Sequence, residues 1–492
     1  MAWNTLEISF VSLKRPLLII SALSLFINIS LTISHDIPAP SIHDEFGYLL
    51  TADTFASGRI TNPTHPFKEH FEAHHIFWEP TYQAKYPPAQ GFFLALGQVF
   101  TGLPIVGVWL SFALGCCALF WMMRSIVDEK WALLVTLLVL TNPTLIEYWG
   151  NTYWGGAVAM LGGSLFFGAL FRLLKDISLQ NSIIYGLGLF ILANSRPAEG
   201  LFVVVGTIPI LLYIFFRDSN YKRVTTHRNF IVPIVSISLL LIAWILFYNY
   251  RLTGDMLKWY YLQSTYDPGF HSPTVTYSFR IIRFWTFFIG PILSISILGL
   301  VVGLFHRIQS DWPILFAIIL SLLLVHLSAA MTPGWPHYIA PITCIIFSCV
   351  AYGLSRFDDF KIKGESLGKI SSAIVALVLV LQIIGLVDKL LSEEPYTWNK
   401  YRQDVISDLK KKEGKDLVFV HYSPNHNPHQ DWVYNKADID HAEVIWARDL
   451  GREKNSQLVE YYKDRNVWGV QPDVNPPKLQ RLKTITTDLL SQ

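Results

Sequence analysis

Long apolar runs separated by short polar joints make up most of this chain, and their lengths set the first expectation. A helix that crosses the hydrocarbon core of a bilayer needs roughly 20 mainly apolar residues. Runs of that kind lie at 16–34, 104–123, 131–147, 156–174, 178–194, 198–216, 230–250, 282–304, 312–330, 338–354 and 370–391, which predicts about eleven spanning helices. The interval 88–100 is also apolar, but Thr101-Gly102-Leu103-Pro104 closes it after about 13 residues, a length that suits an interfacial or re-entrant helix. Charge supports that choice. If 88–100 does not cross, the loops holding Arg124/Lys130, Arg172/Lys175, Arg217/Lys222/Arg223/Arg228, Arg307 and Arg356/Lys361/Lys363/Lys369 share the side of Lys14-Arg15, as the positive-inside rule requires. Lys14-Arg15 and the run after it resemble a signal peptide. No small-residue cleavage site follows, so an uncleaved first span is expected, and cleavage would leave the next loop on the same side.

The opposite face then receives the loop 35–103, the turns at 148–155, 194–199 and 331–337, the loop 251–281 and the tail from 392 onward. A first loop that long, rich in aromatics, is expected to be ordered and functional, with juxtamembrane helices. Beyond Glu393-Glu394-Pro395 charged residues become common. Leu417-Val418-Phe419-Val420 and Val467-Trp468-Gly469-Val470 read as strands, and Asn455 to Tyr462 as a helix. The expected fold is an all-α polytopic membrane domain over 1–394 and a small α/β domain over 395–492 on the outer face.

Composition narrows the class. The chain is 52% hydrophobic and only 15% charged, outside the range of ordinary soluble domains. Its net charge of +2 is spread over short loops, so no nucleic-acid partner is expected. Cys116, Cys117, Cys344 and Cys349 lie inside apolar runs without metal-ligand spacing and read as small core hydrophobes.

The unusual residues gather on the outer side. An acid pair in His43-Asp44-Glu45 follows the first span; then come Ala52-Asp53, Gly58-Arg59, His65, His70, His74-His75 and Lys85-Tyr86-Pro87-Pro88, the last opening an amphipathic stretch. A carboxylate at the edge of the hydrocarbon is retained mainly where it pairs or does chemistry. In this order the motifs resemble the GT-C glycosyltransferases that use polyprenyl-phosphate sugars, such as protein mannosyltransferases, aminoarabinose transferases of lipid A and galacturonosyltransferases of the lipopolysaccharide core. The specific residues lie mostly in 43–91, with Arg196-Pro197-Ala198-Glu199 as a second site. One departure is plain. The arginine that many members carry early in the next span has no counterpart in Gly107-Val108-Trp109.

The resemblance implies an inverting hexosyl or pentosyl transferase moving a sugar from a polyprenyl-phosphate donor to an envelope glycan, lipid or protein acceptor. It further implies a multi-pass protein of the bacterial cytoplasmic membrane, with its active site and tail on the periplasmic side. Asp44 matches the family's catalytic base, and Glu45 is assigned an orienting or acceptor-binding role, with a helix cap as the structural alternative. On a helix the two point about 100° apart and should not share a proton. Lys85, Tyr86, Arg59, Arg196, Glu199 and His337 are the candidate substrate-binding residues, the cations and His337 for phosphate. Trp149, Tyr153, Trp154 and Trp335 suit an interfacial belt or sugar stacking. No cofactor beyond the donor is expected. His70 and His74 would share one face of a helix, with His65 and His75 near, but no His-Glu-x-x-His pattern accompanies them, and the expectation is interfacial hydrogen bonding without a metal. In the tail, His421, His426 and His429 read as surface residues. The alternative is a transporter or lipid flippase without transferase chemistry. Such chains carry inverted repeats and broken helices in matched halves. No repeat is visible here. A scaffold would have no need of an acid pair beside a Pro-Pro helix.

Overall fold

The structure, a computed structural model, describes residues 10–217, 223–263, 265, 275–307, 312–362, 365–393 and 395–482. Lys222, Lys363, Glu394 and part of the loop 251–281 lie outside the described residues. Among the described residues, eight helices are long and apolar enough to cross a membrane: Lys14–His35, Ile105–Met123, Gly156–Leu173, Pro197–Phe216, Arg228–Thr253, Trp312–Met331, Pro336–Asp359 and Gly368–Leu391. Two further runs are bent pairs, Glu129–Leu140 with Pro143–Gly150 at 57° and Tyr277–Phe288 with Gly290–Gly303 at 82°, and counting each as one span gives ten. The run 178–194 is the 17-residue helix Leu179–Ser195.

Two of the expected spans are therefore not straight, and the cause is local. Asn142 caps a new helix through the amides of Thr144 and Leu145, and Pro143 occupies its first turn, where the missing N–H does no harm. Gly290 takes φ +64, a conformation that ends the first helix, and Pro291 starts the next.

Two compact units make up the chain. The described residues of Met1–Asp36, Val108–Ile242 and Pro273–Ser392 form an apolar unit, and those of Ile37–Gly107, Ala243–Ser272 and Glu393–Gln492 form a loop-and-tail unit. In the apolar unit the helix Gly156–Leu173 is 89% buried, whereas only 22% of Gly368–Leu391 is. The first is packed on all sides by protein. The second presents Leu377, Val380, Ile383 and Ile384 outward, an apolar surface that suits lipid rather than water. Glycines allow the close packing: a Cβ on Gly163 would lie 1.9 Å from the Pro341 carbonyl oxygen, and one on Gly353 would lie 2.0 Å from that of Ser296.

Eight short strands lie among the described residues. β1 (Ile76–Phe77) and β2 (Gln83–Ala84) form an antiparallel hairpin in the first loop, and β3 (Lys361–Ile362) and β4 (Glu365–Ser366) pair likewise. The tail folds around β5 (Asp416–Val420), β6 (Val444–Arg448), β7 (Asn466–Gln471) and β8 (Lys478–Arg481) in the order β6-β5-β7-β8, with β5 parallel to both its neighbours and β8 antiparallel. β5 is buried throughout, as a central parallel strand must be. The helices Trp398–Lys410 and Arg452–Tyr461 accompany this sheet, whose core holds Val418, Trp432, Trp446, Trp468 and Val470.

Inside the loop-and-tail unit the tail packs directly on the first loop. Phe46 stacks on Tyr434 at 4.4 Å between ring centres, and the Arg402 guanidinium lies 4.9 Å over the same ring. Asp53 accepts from the Gln98 side chain and from the Ala437 amide, each at 2.8 Å. These contacts fix the first-loop helix that carries the acid pair.

Candidate active site

The helix His43–Ala56 begins at the acid pair, where carboxylates favour the positive end of the helix dipole. Its buried residues fall on nearly every side, so it is held within the unit rather than resting on a surface. Glu45 turns back and accepts from the Ser41 amide at 2.7 Å and the Ser41 hydroxyl at 3.0 Å, the arrangement of a helix cap. Asp44 faces elsewhere. Its Oδ1 accepts from the Tyr86 hydroxyl at 2.8 Å and lies 2.7 Å from His43 Nε2. Tyr86 lies in the bend between β2, which ends at Ala84, and the helix Pro88–Thr101, whose first proline needs no hydrogen-bond partner. Gly102, at φ +78, then closes that helix after 14 residues.

The electrostatics follow from this packing. Burial alone would raise the Asp44 pKa, but the hydrogen bond and charge of His43 and the hydrogen bond of Tyr86 outweigh it and hold the carboxyl well below the usual carboxylate range. Tyr86 is pushed up, by burial first and by Asp44 next, and remains a phenol that can donate. Burial, then neighbouring His74, pushes His75 down to about 3, with Asp44 opposing the shift. Burial also lowers Lys85, whose backbone amide bonds the His75 carbonyl at 2.8 Å.

Histidines line the rest of this site. The His43 ring lies 4.9 Å from His74, 5.3 Å from His75 and 5.6 Å from His429, measured between ring centres. Lys68–Phe71 is a single 3-10 turn, so His70 and His74 do not share a helix face; His70 Nδ1 instead meets the Arg448 carbonyl at 2.9 Å, and His65 meets Asp440 and Tyr462. The tail histidines also differ from the surface reading. None of His421, His426 and His429 is exposed, and His429 stacks on His43. His43 had been part of the motif without a role, and its position next to Asp44 was the available signal. Nothing local marked His429.

Of the remaining candidates, Arg59 lies near enough to Asp438 of the tail for its charge to act on that carboxylate. Arg196, Glu199 and His337 belong to the apolar unit. Arg196 is buried with its guanidinium 5.7 Å from the Tyr338 ring, and His337 packs against Tyr338 at 4.5 Å and Trp154 at 4.9 Å. Glu199 sits one helical turn beyond Arg196, where the Gly200 amide bonds the Arg196 carbonyl at 2.7 Å.

No protein-family model matches the chain, and no curated protein matches it. Solved structures do. ArnT from Cupriavidus metallidurans in the apo state is similar over 92% of this chain and 92% of its own, with 12% identity and a TM-score of 0.54. The same protein bound to undecaprenyl phosphate gives the same values. The oligosaccharyltransferase of Archaeoglobus fulgidus tethered with an acceptor peptide is similar over 94% of this chain and 69% of its own, with 9% identity and a TM-score of 0.55. The chain shares its fold with these structures, in line with the resemblance read from its motifs. Within that fold it carries its acid pair at the head of a first-loop helix, packed against the tail.

Proposed function

We propose that the protein is an inverting glycosyltransferase that moves a sugar from a polyprenyl-phosphate donor to a glycan, lipid or protein acceptor at the outer face of a bacterial cytoplasmic membrane. The observation that carries this reading is Asp44: an ionised, largely buried carboxylate held through one oxygen by Tyr86 and His43, on a fold shared with ArnT bound to undecaprenyl phosphate. In the step itself, the acceptor oxygen attacks the anomeric carbon and the bond from that carbon to the phosphate oxygen breaks. The lipid phosphate leaves with the electron pair, and the acceptor's proton passes to Asp44 Oδ2. The leaving group is a stable anion and needs no second acid, in contrast to a glycosidase. It does need positive charge or hydrogen-bond donors in a water-poor site, for which Lys85 is the candidate within the loop-and-tail unit; Arg196 and His337 are candidate phosphate-binding residues of the apolar unit. Tyr86 keeps Asp44 in one orientation, and Glu45 holds the first turn of the helix that presents it.

The test compares the lipid and glycan profiles of a deletion strain with those of strains carrying Asp44→Asn or Asp44→Ala at wild-type protein level. A shared missing sugar names the product. Full transfer by either variant would falsify the assignment of Asp44 as the base.

A further inference from the structure

We propose that His43, His74 and His75 form a three-imidazole site for a divalent ion of the zinc class, beside Asp44. One ligand nitrogen from each of the three lies within 4.8 Å of the other two. A tetrahedral zinc with Zn–N bonds of about 2.0–2.1 Å sets its ligand nitrogens roughly 3.4 Å apart, so the rings need to close by about 1.4 Å, within the reach of side-chain rotation. Imidazole donors suit zinc, copper and nickel and disfavour magnesium and calcium.

The backbone builds this convergence. Adjacent residues on a strand point to opposite faces. Here the Ile76 amide bonds the Ala73 carbonyl at 3.3 Å, closing a turn, and His75 takes φ +62. That left-handed conformation is uncommon for a residue with a side chain and collects at functional sites. Its effect is to bring the His74 and His75 rings to 3.6 Å between centres, both toward His43. The Thr265 hydroxyl accepts from the His75 amide at 3.1 Å and holds the turn from a distant part of the chain.

The second support is the carboxylate behind the first ligand. His43 Nε2 lies 2.7 Å from Asp44 Oδ1, so the ring in its Nε2–H form presents the Nδ1 lone pair for ligation. Metal-bound histidines characteristically donate their other N–H to a carboxylate, which fixes tautomer and ring orientation. The ion would in turn lock His43, and through it Asp44, leaving its fourth position for water or an oxygen ligand. The site stands apart from the transfer reading, because ion binding is measured without turnover.

The experiment uses full-length protein without a polyhistidine tag, purified in detergent, stripped with a chelator and titrated with Zn²⁺. One ion per chain is expected. His74→Ala and His75→Ala should each weaken binding at least 100-fold, Asp44→Asn by about 10–100-fold, and His70→Ala not at all. Asp44→Asn should thus lose transfer while still taking up zinc at higher concentration, so the two readings fail separately. Should the alanine variants not fold, wild-type protein decides: Zn²⁺ should shield His74 and His75 from diethyl pyrocarbonate, read residue by residue by mass spectrometry. Absence of stoichiometric zinc, binding that survives His75→Ala, or unshielded His74 and His75 each overturns the site.

Discussion

Replacing Gly47 with alanine tests whether Tyr86 holds Asp44 in its working position. Gly47 lies one turn after the acid pair, and a Cβ there would come within 2.6 Å of Tyr86 Cδ2 and 2.7 Å of Cε2. Carbon atoms pack at roughly 3.5–4.0 Å, so the ring must move by about 1 Å. The ring is buried against Tyr48 at 4.8 Å and His75 at 5.4 Å and has no slack on those sides. Displacement carries the hydroxyl away from Asp44, and a bond of 2.8 Å stretched by that amount is no longer a hydrogen bond. A hydrogen bond to a charged group is worth about 1.5–3 kcal/mol, which corresponds to a drop of about 10- to 150-fold in kcat if the bond positions the base. Stability should fall by no more than about 2 kcal/mol. Alanine gains about 1 kcal/mol over glycine inside a helix, against about 1–3 kcal/mol for overpacking.

The assay is sugar transfer in membranes of the complemented deletion strain, with Tyr86→Phe and the double variant alongside. Tyr86→Phe removes the same hydrogen bond and should lose activity to the same degree. In the double variant there is no hydroxyl left to displace, so it should be no worse than Tyr86→Phe alone, a non-additivity expected only of residues acting through one contact. Effects that multiply would refute the reasoning, as would wild-type transfer by Gly47→Ala.

Three further outcomes are expected. Asp53→Ala removes the acceptor for the Gln98 side chain and the Ala437 amide and should destabilise the loop-and-tail unit by about 2–4 kcal/mol, read as faster limited proteolysis in 395–482. Burial lowers His65 below its usual 6.5 despite Asp440, so the unfolded chain binds this proton more readily than the folded one. Its contribution to stability is present above about pH 6.5 and is lost as pH falls from there toward the folded value, so the thermal midpoint of the wild type should fall more steeply between pH 7.5 and 5 than that of His65→Gln. Gly353→Ala sets a methyl 2.0 Å from the Ser296 carbonyl oxygen where two helices meet backbone to backbone, and should lower the melting midpoint of the purified protein; an unchanged midpoint would show that these helices are free to part.

What the sequence made legible was whatever depends on neighbours along the chain. Apolar runs of spanning length marked the helices, Pro87-Pro88 and Gly102 bracketed the short one, and the valine-rich segments at 417 and 467 became β5 and β7. Less was legible where a short local signal overrode the apolar pattern: Asn142-Pro143 and Gly290-Pro291 bend two runs that read as continuous. β6 and β8 were missed. The first interleaves Trp446 with Arg448, which turns to the Glu72 carbonyl and to Asp431, and the second is nearly all polar because it lies on the edge of the sheet.

The site shows the same division more sharply. The places of Asp44 and Tyr86 in the fold were readable because a helix start and a Pro-Pro step announce themselves locally, and their contact is a consequence of two such signals meeting. For the histidines, spacing along the chain is not enough. With Lys68–Phe71 only one 3-10 turn long, His70 goes to the tail and His74 stays with His75, and the turn that joins their rings depends on a positive φ that no histidine advertises. His429 reaches His43 only because the whole tail folds back on the first loop through Phe46, Asp53 and Arg402. An acid pair can therefore be found by reading along the chain, but the groups that set its charge and orientation are assembled by tertiary packing. Any variant that loosens the tail should consequently disturb Asp44 before it disturbs the spanning helices.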